Sequence, residues 1–420
     1  MKKYMSLVLA LIIALAMMTG AVSALAEDVT LYVVDINADH ETYAAMIDAF
    51  EAAHPGVKVE TNHAVNDSAE VMSALIAAGN TPNVFVSTPE QVAVYGEYLY
   101  DWAEDTEALD LYTEEYIEAV TRSDGTIKGL PFGTINVGLV YNKDILAEAG
   151  YDSIPLTISG FEKMCADIDE KTGVVPFALA TSSLFIPAQM LDAYIISKDL
   201  PGSAAGAKFD AGECKVSEAN PNYSNFFRMM DVAKTYTDNE TLGSYDWEYI
   251  CNLMANGKVA VITYGDWSYN AITSFNADVN LGFSSYPVSE DEAEAVTPTS
   301  VNETIMLFKD VENFELAREL AMFLGGSAEA ANYMAVGYGC VACAKAREEV
   351  DPALFNPLLL QAAQLAAEGR TVDRMQNYYP TAAGADFMGN AGAVIQGYVI
   401  GLYEEADAIA EIDTYWPVSK

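Results

Sequence analysis

The chain has 420 residues, with 21 Lys and Arg against 61 Asp and Glu, for a formal charge of −40. Hydrophobic residues make up 51% and charged residues 20%, so disorder is excluded for most of the chain and there is material for a large core, in about two or three folding units. So acidic a balance argues against nucleic acid as a partner, where affinity comes from neutralising phosphates with Lys and Arg, and equally against an anionic membrane surface.

Lys2 and Lys3 precede an apolar run, Ser6 to Met18, and small residues Ala24 and Ala26 follow at A-x-A spacing. This pattern predicts a secretory signal peptide over 1–26, cleaved after Ala26. The run falls short of the ~20 apolar residues that span a bilayer, and no similar run follows. With no Cys beside the cleavage site, nothing marks the chain for lipid attachment. It is therefore expected to be exported, to the periplasm or the outer face of the envelope.

After the leader, Leu31–Val34 reads as a strand that runs into a polar loop, 35–40. Asp39 is the expected N-cap of a helix with Tyr43, Met46, Ile47 and Phe50 on one face, ended by Pro55-Gly56. Val57–Thr61 reads as a second strand, 69–78 as a helix stopped by Gly79, and Asn83–Ser87 as a third strand. This β-α-β-α-β order implies a parallel sheet flanked by helices, in which ligands gather at the carboxyl ends of strands. A strand is expected at Val137–Tyr141, followed by a helix to Gly150, and Ser159-Gly-Phe-Glu162 has capping-box spacing at the start of the next helix. Val174–Ala180 and Lys258–Tyr264 read as further strands, the latter followed by Gly265-Asp266-Trp267. From Asn313 the pattern is mostly helical. The acidic run 290–294 reads as a solvated loop.

Five cysteines occur, at 165, 214, 251, 340 and 343, and Cys340-Val-Ala-Cys343 has C-x-x-C spacing. No second C-x-x-C and no nearby His complete a zinc site, so buried or structurally paired thiols are expected rather than catalytic ones. The three histidines, 40, 54 and 63, form no H-E-x-x-H, and neither a G-x-S-x-G elbow nor a phosphate-cradling P-loop is present. Asp35-x-Asn37-x-Asp39 begins like a calcium loop, but His40 stands where the loop needs Gly and Met46 where it needs Glu. No metal or cofactor is expected. What the chain offers is aromatics at strand ends among its 25 Tyr, 16 Phe and 4 Trp. Sugars present flat C–H faces and hydroxyl rims, and Asp266-Trp267 supplies a hydrogen-bonding group beside an aromatic plate.

Several segments, in order, resemble extracellular solute-binding proteins of the maltose-binding type (family 1). They are Phe50-Glu…Pro55-Gly-Val-Lys-Val, Gly79-Asn-Thr-Pro82-Asn-Val, and Gly129-Leu-Pro-Phe-Gly…Gly138-Leu-Val-Tyr141-Asn142-Lys143. Then come Gly257-Lys-Val-Ala260-Val…Gly265-Asp-Trp267, Glu315-Leu-Ala317…Phe-Leu324 and Gly337…Val341. The resemblance implies an α/β, two-lobed periplasmic-binding-protein fold, each lobe a mainly parallel sheet flanked by helices, joined by a hinge that the chain crosses more than once. Lobe one would take 27–138 and 288–343, and lobe two 139–287 and 344–420. It implies a monomeric carrier, not an enzyme, that closes on a carbohydrate and delivers it to the membrane subunits of an ABC importer. Ligand contacts would fall on Asn37 and Asp39, Ser87, Asn136, Ser182, Asp266 and Trp267, with Asn302 and Tyr338 beyond them. Two alternatives stay open: the same fold holding a polyamine, metal ion or other non-sugar solute against Asp35, Asp39 and Asp266, or a secreted carbohydrate-active enzyme. Pro298-Thr-Ser-Val replaces the usual Gly-Gly or Gly-Ser, and Ile158 the usual Trp. With few aromatic plates at matched positions, these departures point away from a maltodextrin.

Overall fold

Three short parallel strands open the fold, as the alternation of apolar strands and amphipathic helices predicts. The computed structural model describes residues 29–35, 41–63, 68–122, 124–375 and 386–416. Strand β1 (Val29–Asp35) is followed by α1 (Glu41–Ala53), β2 (Val57–His63), α2 (Ser68–Ala77) and β3 (Val84–Ser87), with β1 parallel to both β2 and β3. Helix α1 buries the predicted stripe: Tyr43, Met46 and Phe50 are each 1% exposed and Ile47 6%. The expected N-cap, Asp39, lies outside the described residues. Helix α3 (Glu90–Tyr95) starts directly past the end of β3.

Strand β4 (Leu130–Asn142) carries the architecture, and it is far longer than the five residues predicted from the apolar run. Pro131, Gly133 and Gly138 weaken the strand signal in sequence. In the fold Pro131 and Gly133 fall at register shifts, where a missing N–H or side chain is tolerated. Beyond β4 come α4 (Lys143–Ala149), closed by Gly150 at φ 93°, and α5 (Ile158–Thr172). The cap of α5 is Thr157, whose Oγ1 accepts from the Gly160 amide at 3.2 Å, and not the predicted Ser159. Ile158 is fully buried, and that burial starts the helix one residue before Ser159. Ser159 Oγ instead donates to Glu290.

Strand β5 (Val175–Ala178), α6 (Phe185–Ile195), α7 (Trp247–Ala255), β6 (Val259–Gly265), α8 (Tyr269–Phe275) and β7 (Leu281–Ser284) build the second half. Strand β8 (Thr297–Leu307) returns to the first half, followed by α9 (Phe314–Gly326), a π-helical turn (Tyr333–Tyr338) and β9 (Val341–Ala342). Helix α10 (Pro357–Ala367), β10 (Thr371–Asp373) and α11 (Phe387–Val399) follow β9.

The strand order is β2-β1-β3-β8-β4-β6-β5, with β10 on β8 and both β7 and β9 on β4. The first part of β4 pairs with β8, from Leu130↔Ile305 to Asn136↔Thr299, whereas its second part pairs with β6 and β7, from Val137↔Gly265 onward. One strand thus belongs to two sheets and changes partners between Asn136 and Val137. The outer strands run parallel, as expected, but every pairing of β4 is antiparallel, as is β3 with β8. The sheets are therefore mixed, with β8 antiparallel to β3 and β4 but parallel to β10.

All five cysteines are free thiols, four of them buried. The two-residue strand Val341–Ala342 lies between Cys340 and Cys343, which are both free and buried. Among the described residues no helix is long and apolar enough to cross a membrane, and no group of three or more His, Cys, Asp or Glu is arranged to hold a metal ion.

Candidate ligand-binding cleft

The carboxyl ends of β1 and β3 bring Asp35 and Ser87 to one edge of the first sheet, and α3 adds Glu90 there. Strand β8 runs antiparallel to β3 with Ser87 opposite Thr304, so Glu303 lies on the same edge. Glu303 is 0% exposed. Its Oε1 accepts from Tyr338 Oη at 2.5 Å and from Asn302 Nδ2 at 2.5 Å, while Oε2 has no partner. Burial raises its pKa to about 7; the Tyr338 and Asn302 bonds oppose that rise, and the charges of Asp35 and Glu90 add to it. Tyr338 closes the π-helical turn, a distortion that recurs at functional sites. Gly339 follows in the left-handed region at φ 82°.

The second sheet contributes from the carboxyl end of β6. Asp266 is fully buried, and its carboxylate accepts from the Asn136 backbone N–H at 3.1 Å and from Asn136 Nδ2 at 2.7 Å. Desolvation raises its pKa to about 7 against these hydrogen bonds, which favour the charged form. Trp267 folds its ring back over the strand end: a Cβ on Gly265 would lie 2.0 Å from Trp267 Nε1, so this position requires glycine. Around the half-buried Trp267 ring stand Tyr264, at 5.5 Å between centroids, and Trp247, at 5.9 Å. Trp267 Nε1 has no hydrogen-bond partner, and Trp247 is 37% exposed.

Two clusters therefore collect the predicted residues. Ser87, Asn302 and Tyr338 meet on the first sheet around Glu303, and Asn136, Asp266 and Trp267 meet on the second. Ser182 joins the second through its amide bond to Tyr245 O at 3.0 Å, while neighbouring Ser183 accepts the Trp247 amide at 2.9 Å. The clusters face each other across Cys340, whose thiol is pushed up by burial and by both Asp266 and Glu303. Asn270 of α8 ties the halves together beside them, donating to Val336 O at 3.0 Å and Gly337 O at 2.9 Å. Asn37 and Asp39 lie outside the described residues. Asn136 spends its amide on Asp266, which makes it a support for the second cluster.

Sequence reasoning passed over Glu303 and Trp247. Glu303 sits inside an apolar strand signal, next to the Asn302 that was singled out, and only the fold shows it buried among other acids. Trp247 opens α7 behind the N-cap Asp246, with no strand end to flag it. A cavity of about 720 Å³ runs along β1 and β2 to the amino end of β3, lined by Tyr32, Glu60, Asn80 and Asp310 among others, and none of the cluster residues lines it.

Residues 45–358 match the family described as bacterial extracellular solute-binding protein. The chain belongs to this family. Its members are binding proteins rather than enzymes. The chain is 22% identical over 309 residues to the melibiose/raffinose/stachyose-binding protein MelE of Bacillus subtilis (strain 168), covering 72% of this chain and 71% of MelE. The structure of the solute-binding protein RafE in complex with raffinose superposes with a TM-score of 0.75 at 18% identity, over 92% of this chain and 98% of RafE. A structure from work on xylan utilization by Caldanaerobius polysaccharolyticus gives a TM-score of 0.77 at 16% identity, over 92% of this chain and 99% of that one. These likenesses establish the two-lobed solute-binding fold.

Proposed function

We propose that this chain is an exported, non-enzymatic carrier that captures a carbohydrate, mono- to oligosaccharide, by closing its two halves and then delivers it to the membrane subunits of an ABC importer. The observation that carries the reading is the Trp267–Trp247–Tyr264 wall at the end of β6, standing across the cleft from the hydrogen-bonding group of Glu303, Asn302 and Tyr338. Aromatic faces take the apolar faces of a sugar ring, and buried carboxylates and amides take its hydroxyls. The names of MelE and RafE, one a melibiose/raffinose/stachyose-binding protein and the other in complex with raffinose, favour the same class. The switch of β4 between sheets at Asn136 and Val137 supports a division into lobes near 138, and a ligand bridging both halves stabilises the closed population by its differential affinity. Cleavage of the leader near Ala26, and action as a monomer, belong to the same proposal.

A thermal-shift panel on residues 27–420 tests it, with melibiose, raffinose, stachyose, xylo-oligosaccharides, chito-oligosaccharides, amino acids and polyamines. A ligand at 100 times its Kd adds about 2.7 kcal/mol. A shift with one saccharide class, with the sugar recovered intact by chromatography, is expected. A shift confined to polyamines or amino acids, or release of a cleaved product, refutes the reading.

A further inference from the structure

Four acidic side chains converge on the cleft from separate elements: Asp35 at the end of β1, Glu90 at the start of α3, Glu303 on β8 and Asp266 after β6. Each stands at the ligand-facing carboxyl edge of its sheet, or on the antiparallel strand that completes that edge. Two of the four, Glu303 and Asp266, are 0% exposed, and neither has an ion-pair partner among the described residues. The influences on Glu303 are burial, two neutral hydrogen-bond donors and two further acids, with no basic side chain among them. One of its oxygens is spoken for by Tyr338 and Asn302, and the other, sealed from solvent, lacks a donor. Such an acceptor is costly to bury unless something arrives to satisfy it.

We propose that Glu303 determines the specificity of the cleft: its unpaired Oε2 accepts a hydroxyl of a saccharide without acidic groups, and the surrounding acids reject uronic sugars. This rests on the carbohydrate reading above and narrows it. A hydroxyl brings the missing donor and no charge. A uronate carboxylate brings two more acceptors and a negative charge into a site where Asp35, Glu90 and Glu303 already act on one another, in a low-dielectric setting where like charges repel strongly. The Trp267–Trp247–Tyr264 wall places no demand on charge, so discrimination falls to the acid side. Tyr338 and Asn302 hold the Glu303 carboxyl in one orientation and leave its second oxygen free.

Matched pairs test the assignment by calorimetry: cellobiose with cellobiouronic acid, galactobiose with digalacturonic acid, and xylotriose with glucuronosyl-xylotriose, at pH 6 and 8 and at 20 and 500 mM NaCl. In whichever pair binds, the neutral member is expected to bind at least tenfold tighter, with a wider gap at pH 8 and low salt. Glu303→Gln should narrow that ratio at least threefold, because it removes one charge while leaving an amide oxygen for Asn302 and Tyr338. Glu90→Gln, a second variant at the rim of the same cluster, should narrow it in the same direction, and thermal melts of both variants check that they are folded. A uronide that binds as tightly as its neutral partner overturns this inference while leaving the carbohydrate reading standing. So does a ratio that neither folded variant changes. Silence from both members of every pair, with amino acids or polyamines binding instead, overturns the carbohydrate reading and this inference with it.

Discussion

Replacing Asp266 with Asn should make the protein's stability markedly less dependent on pH between about 4 and 7. In the folded state Asp266 has its pKa raised to about 7 by complete burial, against roughly 3.9 for an Asp in an unfolded chain. Between those values the unfolded state has lost the proton and the folded state keeps it. Unfolding therefore releases a proton, and stability falls as pH rises. The loss amounts to about 1.4 kcal/mol per pH unit and on the order of 4 kcal/mol across the window, after which it levels off. Below pH 4 both states are protonated and the effect vanishes. Asn at 266 can still accept from the Asn136 backbone N–H and, with the Asn136 amide turned over, donate to its oxygen, so the geometry at the crossing of β4 survives. Urea titrations at pH 5, 6, 7 and 8 on the wild type and Asp266→Asn measure the two slopes. Glu303 is shifted in the same direction and leaves a residual slope in the single variant, which the double variant with Glu303→Gln removes. Equal slopes in wild type and Asp266→Asn, or a wild type that gains stability from pH 5 to 7, refute the reasoning.

Trp267→Ala should weaken binding of any saccharide found in the panel by about 10- to 100-fold, the equivalent of an aromatic face of 1.5–3 kcal/mol. Calorimetry with the bound sugar checks it, and an unchanged Kd would show that the wall around Trp267 is only packing. A second expectation concerns Asp192 and Arg374, both 0% exposed and joined by Nε–Oδ2 at 3.2 Å, where Arg374 N also bonds Thr299 O. Breaking this pair with Asp192→Asn should cost about 3–5 kcal/mol in urea unfolding, because a buried guanidinium is left uncompensated, whereas Asp192→Leu with Arg374→Met should cost less. A single variant as stable as the wild type would contradict the burial of the pair.

Local pattern carried the outer parts of the fold and failed at its centre, for a physical reason. Helix α1 and strands β1 to β3 are legible because each shows its buried face as a period in its own sequence, whatever covers it: Tyr43, Met46, Ile47 and Phe50 record that face directly, although Tyr43 packs on Tyr333 and Phe50 on Phe323. Strand β4 is set by partners more than a hundred residues away, and its Pro131, Gly133 and Gly138 answer to those partners instead of to strand propensity. Gly138 shows this plainly, since a Cβ there would lie 2.4 Å from Ser284 O of β7. The same distance in sequence hid the carboxylate bonds of the site. Asp266 and Trp267 stood out at a strand end, but that Asp266 would turn onto Asn136, 130 residues away, follows only from the pairing of β4 with β6. Glu303 was invisible for the opposite reason. A single Glu in an otherwise buried strand has no period of its own, and its meaning comes from Asp35, Glu90 and Tyr338, brought together by three other segments.

On the proposed reading, the placement of Asp266 joins hinge and candidate site in one residue. Its carboxylate holds Asn136 at the point where β4 leaves β8 and takes up β6, and the next residue, Trp267, is the aromatic plate. On the proposed reading, a rotation of one half against the other falls at this exchange of partners, since beyond it β4 pairs continuously with β6 and β7 and before it with β8, apart from the shifts at Pro131 and Gly133. The plate therefore cannot move relative to β6 without disturbing Gly265, whose missing Cβ its ring occupies, and the hinge cannot move without disturbing the bonds from Asn136. A sugar seated on Trp267 and reaching Glu303 would span the same exchange from above, while Asn270 already bridges it through Val336 and Gly337. If the proposed reading holds, closure and recognition draw on the same few side chains, and a change at Asp266 should alter both the population of the closed form and the affinity measured in it.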